Sequence, residues 1–203
     1  MHLRAPAILL SARPHGETAV VARMLTEEFG VVAGYVAGGR GRTLRPVVIP
    51  GNLVELQLSA RSDSQLPFAK LELLESRGPW LGEPMAAAAI GWACALTATA
   101  LPERQPYPPL YEALTALLAA ICHAPSARGW ASALVGYETL LLRELGYGAK
   151  EGWGERPLGD FEAILAAMDR LAGPLDHYLL ADRRGDVMAA RARLRELLAK
   201  IPG

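Results

Sequence analysis

The sequence predicts an α+β chain in two parts, a small N-terminal β-barrel followed by an all-helical region. Three observations carry this. Residues 1–78 hold five short β-type runs separated by glycine-bearing turns. Residues 79–84 (PWLGEP) carry two prolines and a glycine, as domain boundaries do. Beyond them apolar residues recur with helical rather than alternating period. With 203 residues, 51% of them hydrophobic, the chain can bury a real core and is no disordered or fibrous protein.

Ala5–Arg13 (APAILLSAR) reads as the first strand, ended by Pro14-His15-Gly16. Thr18–Leu25 and Val31–Ala37 read as the second and third, joined by the turn Thr26–Gly30. A competing reading makes one helix of Glu17–Phe29 with Gly30 as its C-terminal stop, and periodicity alone leaves both open. Leu53–Ala60 (LVELQLSA) alternates apolar and polar like a half-buried strand, and Phe68–Leu74 is the fifth candidate. Five short strands within residues 1–78 point to a closed or nearly closed barrel, for which the OB-fold is the commonest solution. Helices follow over Pro84–Leu101, Leu110–His123, Ala127–Leu145, Asp160–Leu171 and Asp186–Ile201, with Asp160 and Asp186 as N-caps and Lys150–Pro157 as a loop. The expected domains are therefore 1–78 and 79–203.

Much chemistry is missing. Gly38-Gly39-Arg40-Gly41-Arg42-Thr43 lacks the spacing of a phosphate-binding P-loop, and no nucleophile elbow or H-E-x-x-H helix occurs. Gly146-Tyr147-Gly148 follows a helix, where a dinucleotide fingerprint needs a strand. His2, His15, His123 and His177 are scattered, and Cys94 and Cys122 read as buried thiols of a reducing compartment. No catalyst, metal or other cofactor is expected. Met85–Leu101 is uncharged but Ala-rich and short for a membrane span, so it reads as a buried helix. The N-terminus does not read as a signal peptide, because its apolar run Ala7–Leu10 is soon interrupted by Arg13 and Pro14.

The charge is balanced, 21 basic against 21 acidic residues, which argues against recognition of nucleic acid by bulk basicity. The distribution is uneven. No acidic residue lies between Glu28 and Glu55, while Arg40, Arg42 and Arg45 fall in that stretch, and Arg4 and Arg13 precede the first acid. Glycines around Arg40 let the backbone approach a phosphate, and guanidinium forks match its oxygens. Arginines in a loop also simply keep a surface solvated. Their place between barrel strands favours oligonucleotide contact. Tyr35 fits either a base-stacking ring or a core tyrosine. With other barrel aromatics scarce (Phe29, Phe68, Trp80), charge is expected to dominate over stacking.

At these residues the chain resembles the bacterial recombination mediator family RecO. One block runs Ala7–Arg42, marked by Arg13, Gly16-Glu17-Thr18, Thr26-Glu27-Glu28-x-Gly30 and Gly39-x-Gly41. A second is Tyr137-Glu138-x-x-Leu141-Leu142-x-x-Leu145-Gly146-Tyr147-Gly148. The resemblance implies a non-enzymatic, cytoplasmic, nucleoid-associated repair protein that binds single- and double-stranded DNA and anneals complementary strands. With RecR it would help RecA replace single-stranded DNA-binding protein (SSB), without membrane attachment. By position, Arg13, Arg40, Arg42 and Arg45, with Tyr35, would contact DNA. The helical domain would receive the acidic, Phe-ended SSB tail, with Tyr137, Leu141 and Arg143 in the matching helix; ordinary packing with an exposed arginine is the competing reading. Two departures stand out. Many relatives carry a four-cysteine zinc module after the second block, where Lys150–Pro157 has no cysteine, and some place an arginine before the aromatic–Glu pair, where this chain has Gly136.

Overall fold

The computed structural model describes residues 2–60, 62, 65–148, 160–181 and 187–201. Strands β1 (His2–His15), β2 (Ala19–Thr26), β3 (Gly30–Val36), β4 (Leu53–Ser59) and β5 (Phe68–Glu75) close a barrel in the order β1-β2-β3-β5-β4. This is the expected OB-type barrel. Its pairings are antiparallel except at the β3–β5 seam, where Tyr35 and Phe68 meet in parallel.

Closure depends on β1, which serves two neighbours. His2–Ile8 pair with β4 and Ile8–His15 with β2. A register shift between Leu9 and Ser11 leaves Leu10 as the extra residue, and such a bulge bends a strand enough to turn a barrel corner. The strand begins at His2 rather than Ala5, because Leu3 and Ala5 still find Leu58 and Leu56 as partners.

Residues 17–29 form a hairpin arm, not a helix. Val20, Ala22 and Met24 all enter the barrel core, a spacing of two that a helix would scatter around its circumference. Thr26 closes the β2–β3 turn: its Oγ1 accepts from the Phe29 amide at 3.1 Å and donates to the Gly30 carbonyl at 3.0 Å. Between β3 and β4 the chain makes turns that lay Leu44, Val47 and Val48 against the core. Asn52, fully buried, fastens this loop. Its Nδ2 donates to the carbonyls of Pro46 and Val47, and its Oδ1 accepts from the Arg77 amide at 2.7 Å.

The helices are α1 (Pro84–Ala100), α2 (Pro108–His123), α3 (Arg128–Glu144), α4 (Phe161–Pro174) and α5 (Val187–Ala199). Compactness divides the chain into Met1–Gly82 with Leu101–Tyr111, and Glu83–Ala100 with Glu112–Gly203. The stretch after α1 thus goes with the barrel, although the sequence reading placed it among the helices. The Arg104 amide donates to the Val31 carbonyl at 2.8 Å, and Arg23 pairs with Glu103.

In the second unit, α1 is buried on several sides through Ala89, Ile90, Trp92, Ala93, Cys94 and Leu96, which makes it a core helix. Among the described residues no helix is long and apolar enough to cross a membrane. Cys94 and Cys122 are buried and unbridged. Asp160 caps α4 by accepting from the Glu162 amide. Beyond it the chain does not stop at Leu171. It passes through Gly173-Pro174 into a π-helical turn, Leu175–Leu180, whose Leu175, Leu179 and Leu180 are buried. The Lys150–Pro157 loop and the Asp186 cap lie outside the described residues.

Candidate nucleic-acid interface

Register places the candidate residues on the outside of the barrel. Arg13 pairs with Val21, Val21 with Tyr35, and Tyr35 with Phe68, so these four form one cross-strand rank. Their neighbours Val20, Val36 and Ala69 point into the core, so the rank faces out. Arg13 is exposed at the end of β1, about 7 Å along the strand from His15, where the β1–β2 turn begins.

The arginine loop is tied to that same turn. The Arg40 amide donates to the Thr18 carbonyl at 2.9 Å, and its Nη1 donates to the Glu17 carbonyl at 3.0 Å. Gly39 allows this approach, since a Cβ there would meet Val20 Cγ2 at 2.7 Å. The connection holds Arg40 against the β1–β2 turn, and Arg42 and Arg45 follow it in the same loop. These three and Arg13 are exposed, and among the described residues none is paired with a carboxylate. Arg40 spends one donor on the turn and keeps the rest. By contrast Arg4, on the opposite flank of β1, is bound to Glu55 at 2.5 Å, which raises its pKa through that hydrogen bond and charge. An arginine so engaged is a weaker phosphate ligand than one left unpaired.

Tyr35 is half-buried between two rings. His15 lies 5.7 Å away edge-to-face and Phe68 5.3 Å away on the other side, also edge-to-face. It is neither a core residue nor an isolated surface ring.

The helical candidates fare differently. Tyr137 is 2% exposed and Leu141 fully buried, so both pack the core of the second unit and offer no surface to a partner. Of the two readings for these residues, their burial fits core packing. Tyr137 donates to Thr97 Oγ1 at 2.5 Å while that hydroxyl donates to the Ala93 carbonyl, and burial pushes the phenol pKa well up. Arg143 is exposed, with Glu144 as an ion-pair neighbour at 3.6 Å. Beside Tyr137, Glu138 is fully buried and accepts from Trp92 Nε1 at 2.8 Å and from Arg191 Nε and Nη2 at 2.9 and 2.7 Å. Arg191 also donates to the Met168 carbonyl, so one carboxylate links α1, α3, α4 and α5.

Two family profiles match the chain: "Recombination protein O N terminal" over residues 1–77 and "Recombination protein O C terminal" over residues 82–150. The chain belongs to the RecO family. Among curated relatives, the DNA repair protein RecO of Rhodospirillum centenum is 45% identical over 147 residues, covering 72% of this chain and 57% of the relative. Those of Gluconacetobacter diazotrophicus and a Ruegeria species are 37% and 41% identical, over 73% of this chain and 59% and 61% of theirs. The chain spans less than two thirds of the length of these RecO relatives.

In this RecO chain the second sequence block is explained by folding. Tyr137 and Glu138 hold the buried network, and Leu141 and Leu142 fill the core. Gly146 takes φ +88° to end α3, the Tyr147 amide returns to the Leu142 carbonyl at 2.8 Å, and a Cβ on Gly148 would meet Arg143 Cα at 2.6 Å. The residues that sequence reasoning passed over are His15 and Phe68. Alternation along Phe68–Glu75 puts Phe68 and Lys70 on the face opposite Ala69 and Leu71, a signal for an outward ring. That it meets Tyr35 depends on barrel closure, which no local pattern encodes.

Proposed function

We propose that this chain is an accessory factor of recombinational DNA repair that holds DNA strands without breaking a covalent bond. The observation that supports it best is the hydrogen-bonded tie between the arginine loop and the β1–β2 turn. It holds Arg40, with Arg42 and Arg45 next in the same loop, against the turn that ends the strand carrying Arg13. Unpaired guanidinium groups on a fixed backbone grip phosphate oxygens and release the counterions condensed on DNA, whichever bases are present. Neutralising phosphates on two strands lowers their mutual repulsion, which favours annealing of complementary strands. Membership of the RecO family supports the wider role, in which the protein acts with RecR to help RecA load on SSB-coated single strands. On that reading the helical unit recruits SSB, with the exposed Arg143, and not Tyr137 or Leu141, available to its acidic tail.

Binding of a labelled oligonucleotide, followed by anisotropy across a salt series, tests this. Replacing both Arg42 and Arg45 with alanine should reduce affinity about tenfold or more at low salt. The slope of log affinity against log salt should fall by about one to two units, as two phosphate contacts disappear. Unchanged affinity and slope would remove the arginine loop from the interface. Selective binding of acidic peptides in place of DNA would make the barrel a protein adaptor.

A further inference from the structure

We infer that the barrel carries a base-stacking site centred on Phe68, which directs it to single-stranded rather than duplex nucleic acid. The inference rests on the nucleic-acid reading of the barrel and adds a ligand form to it. Phe68 is 62% exposed, the most exposed of the large apolar side chains described. An isolated surface phenylalanine needs no explanation. This one is held: Tyr35 meets it edge-to-face at 5.3 Å, and His15 meets Tyr35 in the same manner at 5.7 Å. The three rings come from β5, β3 and the end of β1, elements fixed by barrel closure. Phe68 therefore presents an ordered aromatic surface at little entropic cost to a ligand.

Polar groups flank the rings on both sides. Along the rank from Tyr35 lies Arg13. On the other side Phe68 pairs with Ser59, and Ser59 with His2, leading into a groove of about 510 Å³ lined by His2, Arg4, Gln57, Ser59 and Lys70. Since Arg4 is held by Glu55, Lys70 is the cation there best placed to meet a phosphate. An aromatic step between two cationic flanks fits a strand whose backbone crosses the barrel while a base turns onto the ring. In a duplex the base faces are covered by their neighbours and cannot reach Phe68. Stacking accepts every base, so the site selects strandedness and not sequence.

The test compares three probes with the full chain: an oligo-dT strand, an abasic deoxyribose-phosphate strand of equal length, and a duplex. The wild-type chain should bind oligo-dT about tenfold more tightly than the abasic strand. Phe68→Leu should erase that difference while leaving the affinities for the abasic strand and duplex unchanged, and Phe68→Trp should keep it. Because Phe68 is exposed, neither variant should alter the circular dichroism spectrum. Equal binding of oligo-dT and abasic strand by the wild type, or a Phe68→Leu chain that keeps the preference, would overturn the stacking site and leave phosphate capture standing. Failure of the wild type to bind any of the three would overturn both.

Discussion

Replacing Glu138 with alanine lowers the stability of the helical unit by about 3–5 kcal/mol, because it leaves the Arg191 charge buried without its partner. Arg191 is 3% exposed and Glu138 is fully buried, so neither end reaches water in the folded state. The loss extends beyond the pair, since Trp92 Nε1 also gives its hydrogen to Glu138, and α1 would keep an unmet donor in the core. In urea the helical signal at 222 nm should be lost at a midpoint about 1.5–3 M lower. The double variant Glu138→Leu, Arg191→Met should recover most of the stability, as buried pairs exchanged together for apolar residues commonly do. A Glu138→Ala chain within about 1 kcal/mol of wild type would mean that the carboxylate does not organise the four helices.

Replacing Gly30 with alanine strikes the barrel unit by a different route. Gly30 sits at φ +66°, where a side chain costs about 1–2 kcal/mol. A Cβ there would also overlap the carbonyl and backbone of Gln105, in the segment that packs against β3. Forcing that segment away adds about 1–3 kcal/mol, the usual range for overpacking. The combined loss of about 2–5 kcal/mol should appear as a lower thermal midpoint of the barrel. Gly16 makes a useful control. Its φ is +61° but open space surrounds its Cβ position, so alanine there should cost only the backbone part. Equal losses at the two sites would show that Gln105 does not press on Gly30.

These two residues mark where sequence reading succeeds and where it stops. Alternation in Leu53–Ala60 and glycine punctuation mark five candidate strands, and the helices follow from period and caps. The ambiguity over residues 17–29 was real, since local propensity permits a helix. What decides it is three side chains spaced by two and buried in a core assembled from other strands. The periodic pattern ends this helix at Leu171, yet buried Leu175, Leu179 and Leu180 carry it past Gly173-Pro174. At the candidate site, the arginines were legible from an acid-free stretch, whereas the tie from Arg40 to Glu17 joins residues 23 apart. For Tyr137 the sequence leaves partner contact and core packing both open, because a helix face says nothing about which neighbour covers it. The rings seemed too few for stacking when counted along the chain, and closure of the barrel sets three of them side by side.

The proposed nucleic-acid interface is the outer face of the barrel that carries Arg13 and the row of His15, Tyr35 and Phe68, with the Arg40 loop tied to the turn beside it. Chemical-shift mapping of the full chain on addition of oligo-dT tests it most directly. Shifts are expected at the rings of His15, Tyr35 and Phe68 and at the amides of Arg13, Thr18, Arg42 and Arg45. Shifts confined to the helical unit, or to the β2–β3 turn around Phe29, would contradict it.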